Sequence, residues 1–112
     1  MADILRGEIY WANLDPTQGQ EQSGKRPVLI LSRDSFNKHS GTVIAVALTS
    51  QKPKAGFPFH LELSDSSLPK KSWVKIGQIR TLSVLRLEQR IGELSLEEVE
   101  NVIIGLNEIL SA

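Results

Sequence analysis

The chain has 112 residues, enough for one domain (1–112) with its own core, and no cysteine, which excludes disulfides and thiolate metal sites. Its net charge is zero but unevenly spread: residues 1–87 hold twelve Lys and Arg against seven Asp and Glu, whereas residues 88–112 hold Arg90 alone against six glutamates. A basic body with an acidic tail can bind a polyanion on one face. No apolar run approaches the ~18 residues that span a bilayer, and Met1–Arg6 has no secretion-signal pattern, so a soluble cytoplasmic protein is expected.

Glu8–Leu14 is rich in strand formers and stops at the turn signal Asp15-Pro16. Gln18–Lys25 is a polar loop in which Gly19 and Gly24 permit positive φ where the chain must bend. It delivers Arg26-Pro27 to the head of an apolar strand, Val28–Leu31. Pro27 holds Arg26 extended and, lacking an N–H, suits a strand start or an edge. Ser32–Lys38 reads as a short capped helix ended by Gly41. Thr42–Leu48 is a third strand, apolar on both faces like Val28–Leu31, so both are expected mid-sheet with cover on two sides.

Gln51–Gly56 is a second polar loop, after which Phe59, Leu61 and Leu63 alternate with His60 and Glu62 as in a half-buried strand. Ser64–Lys71 is turn-rich. Ser72–Ile76 resumes a strand, Gly77 marks a bulge or bend before Gln78–Arg80, and Arg86–Ile91 is a last strand closed by Gly92. Ser95 and Glu98 form a capping box. Leu96, Val99, Val102, Ile103, Leu106, Ile109 and Leu110 then follow on one helical face, giving an amphipathic helix of about four turns. Short strands with one terminal helix point to a mainly β (α+β) fold, a small twisted barrel capped by that helix. One helix covers only one face of the apolar strands, so a homodimer is expected to cover the other.

Polar residues interrupt these strands at four places: Glu21-Gln22, Arg26, Thr49-Ser50-Gln51 and Gln78-x-Arg80-Thr81. Each is also ordinary turn or surface chemistry, since threonine and serine satisfy loop backbone groups. No His or carboxylate cluster has metal-ligand spacing, so no cofactor is expected. His39 in a turn and His60 on a polar strand face are read as structural. Trp11, inside a strand, is expected in the core, while Trp73 suits either the core or base stacking.

Together, Arg6-Gly7-Glu8-Ile9-Tyr10-Trp11-Ala12-Asn13-Leu14-Asp15-Pro16, Gly19-x-Glu21-Gln22-x-Gly24-x-Arg26-Pro27-Val28-Leu29-Ile30, Leu48-Thr49-Ser50 and Gln78-Ile79-Arg80-Thr81 resemble the MazF/PemK family over roughly residues 6–110. The resemblance implies an SH3-like barrel, a homodimer, and a messenger-RNA endonuclease of a toxin–antitoxin pair that works without metal. In that chemistry a ribose 2′-OH attacks the adjacent phosphorus, leaving a 2′,3′-cyclic phosphate, or the 3′-phosphate from its opening, and a 5′-OH. The family's catalytic arginine and threonine map onto Arg26 and Thr49. RNA contacts are expected from Gln18, Glu21, Gln22, Lys25, Ser50, Gln51, Lys52, Gln78, Arg80 and Thr81. A fixed guanidinium and a hydroxyl donor suit the charge that gathers on the phosphoryl oxygens. A guanidinium keeps its proton, so charge stabilisation is its expected role; if a base is required, Glu21 is the only carboxylate in the loop. The cognate antitoxin is expected to offer an acidic segment that folds on binding. A non-catalytic barrel module, or a gyrase poison resembling CcdB, is the rival. The CcdB type ends in tryptophan-glycine-isoleucine, whereas this chain ends Ile109-Leu110-Ser111-Ala112.

Overall fold

A computed structural model describes residues 3–16, 18–21, 24–63 and 68–111 of the chain. The strands are β1 (Glu8–Asn13), β2 (Lys25–Ile30), β3 (Thr42–Thr49), β4 (His60–Glu62), β5 (Trp73–Ser83) and β6 (Leu87–Glu93). Two helices, α1 (Asp34–Ser40) and α2 (Leu96–Leu110), and a 3₁₀ turn at Val84–Arg86 complete the described elements. The strands make one antiparallel sheet in the order β4-β5-β3-β2-β1-β6. β4 and β6 are its edges, so the expected barrel is an open one.

β2 and β3 occupy the middle, as strands apolar on both faces must. On one face Leu29, Val46 and Leu48 pack with Ile9, Val74 and Ile76 beneath Val99 and Val102 of α2. Each such aliphatic side chain contributes roughly 1.5–3 kcal/mol by leaving water. On the other face Val28, Ile30, Ala45 and Ala47 join Ala12, Leu14, Val43 and Leu82 in a second core, packed over by Ile4, Tyr10, Val84 and Leu87. The chain therefore covers both faces of its central strands itself. The packing reason given above for a second copy does not hold.

Several boundaries move for identifiable reasons. β2 starts at Lys25, so Arg26 lies inside the sheet, paired with Ala12, rather than ahead of it. β5 is one long strand that carries the expected bulge: Val46 faces Ile79 but Leu48 faces Val74, and the extra residues on β5 include Gly77. β6 continues through Gly92 to Glu93 because Gly92 still pairs with Ile9. β4 is short, and Phe59 ahead of it is exposed in a turn instead of facing the core. In α2, Ser95 caps through its side chain (Glu98 N–H, 3.2 Å) as the capping box requires, while Leu96 and Leu110 at the ends are exposed. Gly105 permits a close approach: a Cβ there would stand 2.6 Å from Ile76 Cδ1 and 3.1 Å from the Pro58 carbonyl. The loop between β3 and β4 presses on the helix at that point.

Candidate active site

The ladder between β2 and β3 begins at Val28 opposite Ala47. Pro27 has no N–H with which to extend it. Continuing the same register past Pro27 sets Arg26 opposite Thr49, on the face that carries Val28 and Ala47. Each is held from its outer side: Arg26 pairs with Ala12 of β1, and Thr49 with Trp73 of β5. Arg26 and Thr49 thus lie near the ends of the two central strands, both half-buried, and both line one hollow. Thr49 Oγ1 accepts from the Gln51 N–H at 3.1 Å, which leaves the hydroxyl's own proton to donate elsewhere.

Two hollows flank this pair. The larger, about 700 Å³, is lined by Arg26, Thr49 and Ser50 together with Lys25, Lys70, Arg90 and Trp11, and no Asp or Glu lines it among the described residues. The smaller, about 320 Å³, has Val28, Ala45 and Ala47 among its lining and Glu21, Gln78 and Arg80 at its polar side. Val28 and Ala47 are the strand neighbours two residues on from Arg26 and Thr49, so the pair stands between the two hollows.

The loop from β1 to β2 is stitched to this surface. The Leu14 N–H donates to the Gly24 carbonyl (2.9 Å) and closes the base, while Gly24 N–H donates to Asp15 Oδ1 (3.1 Å). Gly19 and Gly24 take positive φ (58° and 78°), as the bends require. The Glu21 carboxylate accepts the Gln18 N–H at 2.5 Å. From β5, Gln78 Nε2 donates to the Gln20 carbonyl and Arg80 Nη1 to the Leu14 carbonyl, each at 3.3 Å. Arg86 donates to the carbonyls of Asn13 and Asp15.

Of the residues expected at the site, Lys25, Arg26, Thr49 and Ser50 meet at the larger hollow, and Glu21, Gln78 and Arg80 at the smaller. Gln18 is exposed in the loop and serves Glu21. Gln51 and Lys52 are exposed beyond Thr49, and Thr81 is exposed opposite Ile44; these three line neither hollow. Gln22 lies outside the described residues. Trp11 is not a core residue: it is 38% exposed, paired with Pro27, and lines the larger hollow. Trp73 is buried, with Lys71 Nζ 5.9 Å from its ring centre. His39 Nδ1 and His60 Nδ1 bond local carbonyls, of Ser35 (2.7 Å) and Ala55 (2.9 Å), and neither lines a hollow.

Sequence reasoning missed Lys70 and Arg90. A signal for Arg90 existed, as the lone cation among six glutamates. It pairs with Glu8 of β1, Nε to Oε2 at 2.6 Å. Burial pushes the Glu8 carboxyl up, but the Leu5 N–H, Arg90 and the Tyr10 hydroxyl outweigh it and hold the group below its usual value. The same contact raises Arg90, and burial together with the Glu8 charge raises the Tyr10 phenol.

Residues 5–110 match the family described as PemK-like, MazF-like toxin of type II toxin–antitoxin system. The chain belongs to this family. This PemK/MazF-like chain is 44% identical over 116 residues to the endoribonuclease MazF of Staphylococcus saprophyticus, covering 96% of this chain and 97% of that protein. Among solved structures, MazF from Deinococcus radiodurans superposes with a TM-score of 0.88 at 27% identity, over 100% of both chains. A mycobacterial endoribonuclease in complex with its cognate antitoxin superposes at 0.78, also with 27% identity, over 96% of this chain and 94% of that one. The PemK/MazF-like chain is accordingly a toxin endoribonuclease of a type II toxin–antitoxin system.

Proposed function

We propose that the chain cuts single-stranded messenger RNA, without a metal ion, at the Arg26–Thr49 pair, and so arrests translation and growth. The observation that carries this is that Arg26 and Thr49 line one hollow of about 700 Å³ that no Asp or Glu lines among the described residues. The ribose 2′-oxygen forms a bond to the adjacent phosphorus while the bond to the 5′-oxygen breaks. Negative charge collects on the non-bridging oxygens, where a guanidinium and a hydroxyl donor stabilise it. Glu21, the one carboxylate lining either hollow among the described residues, takes the 2′-hydroxyl proton, and the leaving 5′-oxygen is protonated from solvent. The products are a 2′,3′-cyclic phosphate and a 5′-OH end.

The cationic lining also suits an acidic antitoxin segment that folds as it fills the groove, and a relative's solved complex with its cognate antitoxin supports such a partner. The toxin acts as a homodimer in the cytoplasm. The pairing rests on family resemblance, and sedimentation at micromolar concentration finding only monomer would count against it. No helix among the described residues is long and apolar enough to cross a membrane. Incubation of a mixed RNA with excess EDTA, followed by end-group analysis, tests the chemistry. Cleavage with 5′-OH ends is expected, and activity restored only by added magnesium would refute the metal-free step.

A further inference from the structure

We propose that Arg90 is a second phosphate-binding residue of the RNA groove and that the buried carboxylate of Glu8 is the residue that positions it. This rests on the reading of Arg26 and Thr49 as the cutting site, because Arg90 lines the same hollow of about 700 Å³. Glu8 is 7% exposed, and both its oxygens are engaged. Oε1 accepts from the Leu5 N–H (2.7 Å) and from the Tyr10 hydroxyl (3.1 Å); Oε2 accepts from Arg90 Nε (2.6 Å). Arg90 stands opposite Tyr10 in the ladder between β1 and β6, with Nη2 3.5 Å from Glu93.

These contacts fix one edge of the guanidinium. Its Nη1 end has no protein partner among the described residues, and the side chain is 44% exposed. An ion pair made only to tie the edge strand to β1 would not need an open fork, and such pairs are weak sources of stability. An arginine held on one edge by a buried carboxylate instead presents its free edge in a set direction, which suits a phosphate oxygen. The neighbouring cation Lys25 is an exposed side chain loosely paired with Glu88 at 3.4 Å, whereas Arg90 is oriented before RNA arrives. Pre-orientation lowers the ordering cost of binding. Arg26 and Arg90 would then grip different phosphates of one strand.

The test uses RNA carrying a 2′-deoxy position at the cut, so that binding is read without cleavage, and a set of such RNAs each with one uncharged methylphosphonate near the cut. With the intact protein, neutralising one particular phosphate should weaken binding on the order of tenfold. Arg90→Gln should weaken binding of the unmodified RNA by a similar factor and abolish the sensitivity to that phosphate alone, with the loss in cleavage falling mainly on KM. Because Arg90→Gln strands a buried carboxylate, the double variant Glu8→Gln/Arg90→Gln is measured beside it and should behave the same. Glu8→Gln alone should fall between, since the donor remains but its anchor is weakened. Unchanged RNA affinity in the double variant, or a uniform loss that leaves every phosphate's sensitivity intact, overturns the proposal. Arg26→Ala serves as the reference: if it still cuts at the normal rate, the underlying cutting site is wrong. If it is inactive while the Arg90 variants bind normally, only the Arg90 assignment fails.

Discussion

Replacing Thr49 by valine removes one hydroxyl and leaves the side-chain shape nearly unchanged. The hydroxyl accepts from Gln51 N–H, but Gln51 is exposed and water can take that bond. The cost in stability should therefore stay near the surface-substitution range of about 0.5 kcal/mol, a shift of less than about 4 °C in Tm for a domain of this size. The catalytic cost is of another order. A positioned donor to a developing oxyanion is worth about 10²–10³ in rate, or roughly 2.7–4 kcal/mol. Single-turnover cleavage of an end-labelled RNA, read beside thermal unfolding, separates the two. Thr49→Val should lose about 10²–10³ in rate with little change in Tm, whereas Thr49→Ser, which keeps the hydroxyl, should stay within roughly tenfold of the parent. Equal losses in the serine and valine variants, or a rate loss that tracks a large fall in Tm, would refute the donor role and assign Thr49 to packing.

Arg26→Lys should remain badly impaired, because an ammonium cannot offer the planar two-pronged donor set, and near-normal cleavage by it would reduce Arg26 to attraction of the backbone. The Glu8 carboxyl is held below its usual value, so it stabilises the fold above the ordinary carboxylate range, and that contribution is lost as pH falls through the depressed value. Thermal unfolding from about pH 7 to about pH 3 should show Glu8→Gln with a flatter acid limb than the parent; identical limbs would contradict the sign. If antitoxin and RNA share the groove, Arg26→Ala should weaken both affinities and Lys52→Glu at least one, and a pair of variants that changes neither would place the partners elsewhere.

The strands were legible because Val28–Leu31 and Thr42–Leu48 admit no polar face, which puts them mid-sheet. The terminal helix was legible from Ser95, Glu98 and the stripe through Val99 and Val102. What could not be read was the path of the chain over the second face. Ile4, Val84 and Leu87 are scattered in sequence and meet only when the sheet curls, so the second core looked like a surface in need of a partner. Trp11 reads as a core residue because it lies inside a strand, on the face of Ile9. That face runs out past Pro27, and the ring is left beside the cavity. Arg26 and Thr49 came from the family pattern, and their meeting at one hollow follows from strand pairing that no single strand reveals. Arg90 was masked by the acidic tail, since its partner Glu8 lies 82 residues away.

A chimeric oligonucleotide shows whether a ribose hydroxyl is the nucleophile at the Arg26–Thr49 pair. An all-deoxy strand of the cleaved sequence lacks the nucleophile, whereas the same strand with one ribose at the cut position restores it. The first should not be cut, and the second should be cut at that one position with a 2′,3′-cyclic phosphate and a 5′-OH. Cleavage of the all-deoxy strand at a comparable rate, or a 5′-phosphate on the product, would contradict it.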